Sequence, residues 1–308
     1  MLFVIFLFIT KTPEDNTMRC KKCNKNAVFE KPNYCGNHFI EYFETKVKET
    51  IKKFSLLNKN DRVVVAVSGG KDSTTILYLL HKFGYNVVAL AIDEGIQGYR
   101  PKTLKDLKEF CKNNKIKLKI VTFKDNFNKT LDQSIKTKQY EDAPCTICGT
   151  FRRYLLNKYA KGFDKIATGH NLDDEAQSII MNLTKGHVNL LTRLGPISTI
   201  KTGFTQRIKP LYFCTEKEVR IYSLLKDFSI TFVECPYAHN SYRSKIRDLL
   251  NNYENKNPGT KINIVNYFLK IKNKIKTNPI NMCFCILCDQ PSLTQICKAC
   301  QIKKEINN

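Results

Sequence analysis

Acidic side chains are the scarce ones in this 308-residue chain: 28 Asp and Glu face 51 Lys and Arg, for a formal charge of +23, and no acid occurs between Glu254 and Asp289. Binding a small molecule does not require such an excess. It suits a polyphosphate partner, nucleic acid first, although a lysine-rich genome would leave the same composition. Long apolar runs are missing too. Residues 1–9 are apolar throughout, but they are too few to cross a bilayer and lack both the basic start and the small-residue cleavage site of a signal peptide. No membrane association is expected; residues 1–17 read as an untidy extension, with Met18 the expected start of the working chain. There is no internal repeat. The 42% hydrophobic content provides for one sizeable core with small appendages.

Cysteine, by contrast, is plentiful, with 13 residues in all. Disulfide-built secreted proteins are short and poor in regular structure, whereas eight of these cysteines fall in Cys-x-x-Cys pairs within a long body. Metal ligation in a reducing, cytoplasmic setting follows. Cys20-x-x-Cys23 followed by Cys35-x-x-His38 has the arrangement of a structural zinc ribbon. Cys285-x-x-Cys288 with Cys297-x-x-Cys300 makes a second, with Cys283 as a spare. Closed four-ligand sets leave no open coordination position, so two structural Zn2+ ions are expected. The chain then divides into the extension 1–17, an N-terminal ribbon 18–40, a body 41–258, a basic helical linker 259–282 and a C-terminal ribbon 283–308. Six lysines between residues 256 and 276, interleaved with Ile, Val, Tyr and Phe, make an amphipathic helix whose basic face either grips phosphates or is simply solvated.

In the body, β-rich runs at 62–67, 86–92, 117–123 and 165–168 alternate with helical patterns at 74–82, 102–113 and 173–184, which predicts an α/β fold with a doubly wound parallel sheet. Residues 63–67 and 87–92 are apolar throughout, as strands covered on both faces must be. A capping-box pattern, Thr215 with Glu218, opens a further helix. Ligands of such sheets sit at the carboxyl ends of the strands. There, after a strand containing Ala66, stands Ser68-Gly69-Gly70-Lys71-Asp72-Ser73. Its glycines let the backbone approach phosphate, helix-start amides donate to it, and Lys71 supplies countercharge. Asp93 and Gly169 end two other strands, where contacts to ATP are expected. Asp173 and Asp174 open a helix, either holding Mg2+, acting on a substrate proton or compensating the helix dipole. His170 reads as scaffold.

Cys145-Thr146-Ile147-Cys148 opens a helix inside the body, and Cys235 follows the presumed last strand. Three such cysteines fit a 4Fe-4S cluster with one open iron, a persulfide relay through a low-pKa thiol, or mere core packing. Cys111 and Cys214 read as core residues.

The Ser68–Ser73 loop resembles the SGGxDS signature of the PP-loop ATP pyrophosphatases. The stretches 93–100, 145–149, 169–175, 207–211 and 235–237 resemble one branch of that superfamily, the tRNA 2-thiouridine synthases, which includes the catalytic subunit of cytoplasmic tRNA 2-thiolation. The resemblance runs from Cys20 to Cys300. It implies adenylation of the C2 oxygen of a wobble uridine followed by sulfur transfer, with Cys145, Cys148 and Cys235 as cluster ligands and Asp174 as the catalytic acid. Some members carry a lysine contacting ATP where this chain has Arg152. It further implies tRNA as substrate, a ubiquitin-like thiocarboxylate sulfur carrier, and assembly as a homodimer or with a related second subunit. A 2-thiocytidine synthase shares the loop and the three cysteines but lacks the ribbons. A non-catalytic zinc-ribbon RNA-binding subunit would not need the intact Lys71, Asp72 and Ser73.

Overall fold

The computed structural model describes residues 18–136, 144–199, 202–231, 233–237, 242–275 and 282–307; the extension 1–17 lies outside the described residues. The chain divides into two compact units, residues 1–43 and 44–308. In the first, short bridges Arg19 to Asn26 and Phe29 to Tyr34 fold the segment into a knuckle. Phe29 packs on Phe39 with ring centroids 4.8 Å apart. Helix α1 (Gly36–Lys53) begins in this unit.

The second unit is built on five parallel strands: β1 (Arg62–Val67), β2 (Asn86–Asp93), β3 (Leu118–Thr122), β4 (Lys165–Thr168) and β5 (Gln206–Ile208), in the order β3-β2-β1-β4-β5. Chain direction across the sheet reverses between β1 and β4, which opens a crevice at their carboxyl ends. Every residue of β1 between Val63 and Val67 except Ala66 is buried, because helices cover both faces. Those helices are α2 (Lys71–Lys82), α3 (Arg100–Asn113), α4 (Phe123–Phe127), α5 (Leu131–Ile135), α6 (Pro144–Tyr159), α7 (Leu172–Thr184), α8 (Val188–Leu191) and α9 (Glu216–Leu225). Then come α10 (Tyr242–Lys256), α11 (Thr260–Ile271), the hairpin β6 (Cys283–Phe284) with β7 (Pro291–Ser292), and α12 (Lys298–Asn307).

Two expectations change. The described residues leading to Cys235 form no strand; the fifth strand is β5, whose Gln-Arg-Ile carries too little apolar pattern to announce itself. The basic segment expected as a helical linker is helical, but it packs on the body. Helix α11 buries Lys261, Val265 and Phe268 and packs on α7, joining a core with Leu172, Ala176, Ile179 and Tyr212. Its apolar stripe is satisfied within the body, and Lys261 spends its charge on Asp173.

The C-terminal elements are equally integral. Ile302 and Ile306 of α12 share one cluster with Val64, Phe127, Phe151 and Ile166. Phe127 stacks on Phe151 at 3.6 Å between centroids. Ile302 is fully buried, so Ile302→Ala should destabilise the 44–308 unit by about 2–5 kcal/mol. Chemical denaturation of the metal-loaded protein measures this, and a loss below ~1 kcal/mol would show that α12 is not part of that core.

Candidate active site

At the end of β1 the chain turns tightly into α2. The Ser68 amide donates to Ser73 Oγ (3.1 Å), the Gly70 amide to Ser68 Oγ (3.3 Å), and the Ser73 hydroxyl to the Gly70 carbonyl (3.1 Å). Gly70 caps α2 without a side-chain hydrogen bond, leaving first-turn amides to face an anion. Gly69 has φ of +85° and approaches α3 so closely that a Cβ would stand 2.4 Å from the Thr103 carbonyl oxygen. Lys71 Nζ lies 2.9 Å from Asp72 and 3.0 Å from Glu216; burial opposes its charge, but these carboxylates hold it above the usual lysine value. Ala66 pairs in register with Leu90 and Thr168. Asp93 Oδ1 accepts the Gly95 amide at 2.9 Å. Gly169 lies against the loop, where a Cβ would stand 2.7 Å from Ser73 N. The residues expected around ATP, Arg152 apart, thus gather at the carboxyl ends of β1, β2 and β4.

Asn171 joins this loop to α7. Its Nδ2 donates to Asp72 Oδ1 (3.0 Å), while its Oδ1 accepts the Asp174 amide (3.1 Å) and its own amide donates to Asp174 Oδ2 (3.2 Å), a complete capping box. Asp174 also meets Arg243 at 3.4 Å. Burial pushes the Asp72 and Asp174 carboxyls above the ordinary aspartate value, and the charge of Asp174 adds to the rise at Asp72. Asp173, one of the two aspartates expected near the substrate, turns away: it pairs with buried Lys261 and accepts the Glu216 amide at 2.8 Å, so its oxygens are consumed in holding α7, α9 and α11 together. His170 Nδ1 lies 2.9 Å from Thr168 Oγ1.

Cys145 and Cys148 stand in the first turn of α6, Cys148 packed against the main core along with Cys235 and Tyr237. Cys145 Sγ contacts the Tyr237 carbonyl at 3.5 Å. The three thiols are electrostatic neighbours, yet their sulfurs do not all come within 4.8 Å of one another, as the ligand atoms of each terminal set do. Burial, followed by the charge of Glu94, pushes Cys148 up to about 12, and burial also raises Cys235. Burial thus disfavours Cys148 itself as the low-pKa thiol of a persulfide relay.

Sequence reasoning missed the group that joins the two halves. Glu94, buried at the end of β2, lies 2.9 Å from Arg100 Nε and 3.3 Å from Arg152 Nε. Arg100, fully buried, also donates to the carbonyls of Ser68 and Ile92. One carboxylate thus braces the phosphate loop through Arg100 and holds Arg152 beside Cys148, so Arg152 stands with the cysteines. Both residues sit in the 93–100 stretch, where an acid followed six residues later by a base was the available signal.

At the termini, Cys20 Sγ lies 3.3 Å and Cys35 Sγ 3.4 Å from His38 Nδ1, with Cys23 and Cys35 3.5 Å apart. Cys285, Cys288, Cys297 and Cys300 form the second set; Cys283, the spare, bonds the Ser292 carbonyl instead. Cys111 and Cys214 are core residues. Among the described residues no helix is long and apolar enough to cross a membrane.

Residues 40–253 match the PP-loop domain family. The chain is 41% identical over 303 residues to tRNA-5-methyluridine(54) 2-sulfurtransferase of Pyrococcus horikoshii, covering 94% of this chain and 96% of that one. It is 35% identical to cytoplasmic tRNA 2-thiolation protein 1 of Dictyostelium discoideum, covering 94% and 84%. Among solved structures, the U34-tRNA thiolase of Methanococcus maripaludis with its [4Fe-4S] cluster superposes with a TM-score of 0.81 at 34% identity, covering 94% and 96%. With the phosphate loop and the three cysteines arranged as above, the chain belongs to the tRNA sulfurtransferase branch of the PP-loop family.

Proposed function

We propose that this protein catalyses ATP-dependent 2-thiolation of the wobble uridine of tRNA in the cytoplasm. The observation that carries the reading is the Glu94 bridge, which ties a phosphate loop and a three-cysteine site to one carboxyl edge of one sheet. The first-turn amides of α2, with Lys71, bind the β,γ-phosphates of ATP. Asp72, raised by burial, is the carboxylate that would receive Mg2+ carried by the nucleotide. The uridine O2 attacks the α-phosphorus, pyrophosphate leaves, and Asp174 takes the N3 proton. Hydrolysis of the carrier's thiocarboxylate C–S bond leaves a carboxylate and frees HS−, which adds at C2; the C2–O2 bond breaks, AMP departs with the former O2, N3 recovers one proton and the surplus protons pass to solvent. The target atom lies on a base edge, so the nucleotide must be splayed from its stack.

Cys145, Cys148 and Cys235 fit a 4Fe-4S cluster because each thiolate would bind a different iron, which requires wider sulfur spacing than ligation of one ion. Such a cluster supplies an iron without a protein ligand at which sulfur is delivered. The terminal sets, each drawn within 4.8 Å, fit one Zn2+ apiece. The sulfur source is a ubiquitin-like thiocarboxylate carrier, and the working assembly is a homodimer or a pair with a related subunit. A second reading, thiolation at position 54, is favoured by the 41% identity to the P. horikoshii enzyme.

Mass spectrometry of nuclease-digested tRNA from a thiolation-deficient host expressing this chain maps the modified position. Sulfur at position 34 is expected, sulfur at 54 supports the second reading, and its absence from both sinks the proposal. Replacing Asp174 with Asn should lower thiolation at least ~100-fold, the lower range for a proton-transfer residue, while ATP affinity stays near wild type; full activity would leave Asp174 only its capping role. Anaerobically purified protein should hold about four irons, which Cys145→Ala/Cys148→Ala loses while both zincs remain; no iron after reconstitution would remove the cluster from the scheme.

A further inference from the structure

Most cations around the site have counter-ions. Arg100 and Arg152 share Glu94, Lys71 lies between Asp72 and Glu216, Lys209 meets Glu175 and Arg243 meets Asp174. Arg153 on α6 and Arg207 on β5 make no ion pair among the described residues. They are nevertheless brought together: Arg207 Nη2 donates to the Arg153 carbonyl at 3.5 Å. Burial holds Arg207 below the usual arginine value, with the charge of Arg153 adding to it; the Arg153 side chain itself is exposed.

Gly149 accounts for the placement of Arg153. A Cβ at that position would stand 3.2 Å from Arg153 Nη1, so the missing side chain leaves room for the guanidinium to fold back along α6 towards the turn holding Cys145 and Cys148. Amides at that helix start add further positive potential. Like charges held side by side without a carboxylate are unfavourable until an anion completes them. Arg207 sits two strands across the sheet from β1 and its phosphate loop, so this locus is separate from the nucleotide's.

We propose that Arg153 and Arg207 form an anion subsite beside the three cysteines that binds one backbone phosphate of the RNA strand carrying the target uridine. The inference rests on the tRNA reading above. Two guanidinium forks from different elements match the several oxygens of a tetrahedral phosphate, whereas a planar carboxylate is satisfied by one. The charge of +23 points the same way. Holding the strand here would fix the target base between the phosphate loop and the cysteines.

The test is equilibrium binding of an unmodified tRNA transcript to the full-length, metal-loaded protein across a salt series. Arg153→Gln/Arg207→Gln should weaken binding roughly tenfold at moderate salt and reduce the slope of log affinity against log salt by about 0.7–0.9, one phosphate contact. The Lys/Lys variant at the same positions should retain the slope. Gly149→Ala, which crowds the guanidinium while leaving both arginines, should reproduce part of the loss. Iron content and ATP affinity should not change in any of them. An unmoved slope in the Gln variant overturns the subsite. If that variant instead loses affinity only for a peptide with a free C-terminal carboxylate, the site belongs to a protein tail and the RNA assignment falls. Wild-type protein that does not bind tRNA would sink the functional reading along with the subsite, whereas tRNA binding with an unmoved slope sinks the subsite alone.

Discussion

The ion pair between Glu94 and Arg100 is the constraint on which the rest of the site depends. Both side chains are almost wholly removed from water, and removing either would strand the other's charge in the interior, at a cost of roughly 3–5 kcal/mol. What the pair secures is relative position. Arg100 grips the carbonyls where β1 and β2 end, so the phosphate loop cannot drift from the neighbouring strand. The second oxygen of Glu94 reaches Arg152 on α6, and through it the place of Cys148. Nucleotide and sulfur chemistry must meet at one uridine atom, and a rigid buried bridge meets that requirement better than two loops would.

A second joint works at the other side of the crevice. Asn171 spends all its polar atoms on Asp72 and on the capping box of α7, so the phosphate loop and the acid-bearing helix start move as one. Behind them, Asp173 with Lys261 ties α7 to α11, and Glu175 with Lys209 ties α7 to the segment after β5. The three consecutive acids of α7 therefore divide their labour. Only Asp174, partly exposed and paired weakly with Arg243, faces the crevice.

The sheet was readable from residues because β1 and β2 are apolar runs bounded by glycine and a helix start, and the phosphate loop because its spacing is specific. The terminal metal sets were readable because a Cys-x-x-Cys turn fixes its own geometry. The fifth strand escaped since three residues with one buried side chain carry no periodicity. Helix α11 was legible as a helix with one apolar and one basic face, but composition does not reveal that the apolar face packs on α7 or that Lys261 is neutralised by an aspartate 88 positions away. The same limit hid Glu94. Nothing local marks a carboxylate as shared by two arginines brought in by separate helices, although the stretch containing it was already singled out.

Helix α6 begins with the cysteines of the active edge, and its far half packs with α12, so the hydrophobic cluster under the sheet is completed by residues 302 and 306. A ribosome releases those residues only after the 258 residues from Glu44 to Gln301 have emerged. Until then Phe127, Phe151 and Leu155 lack their last neighbours, and the seven cysteines of the active edge and the C-terminal set remain accessible thiols. The closing of the interior thus waits on α12, which makes a chain that has not yet docked this helix the form most exposed to oxidants.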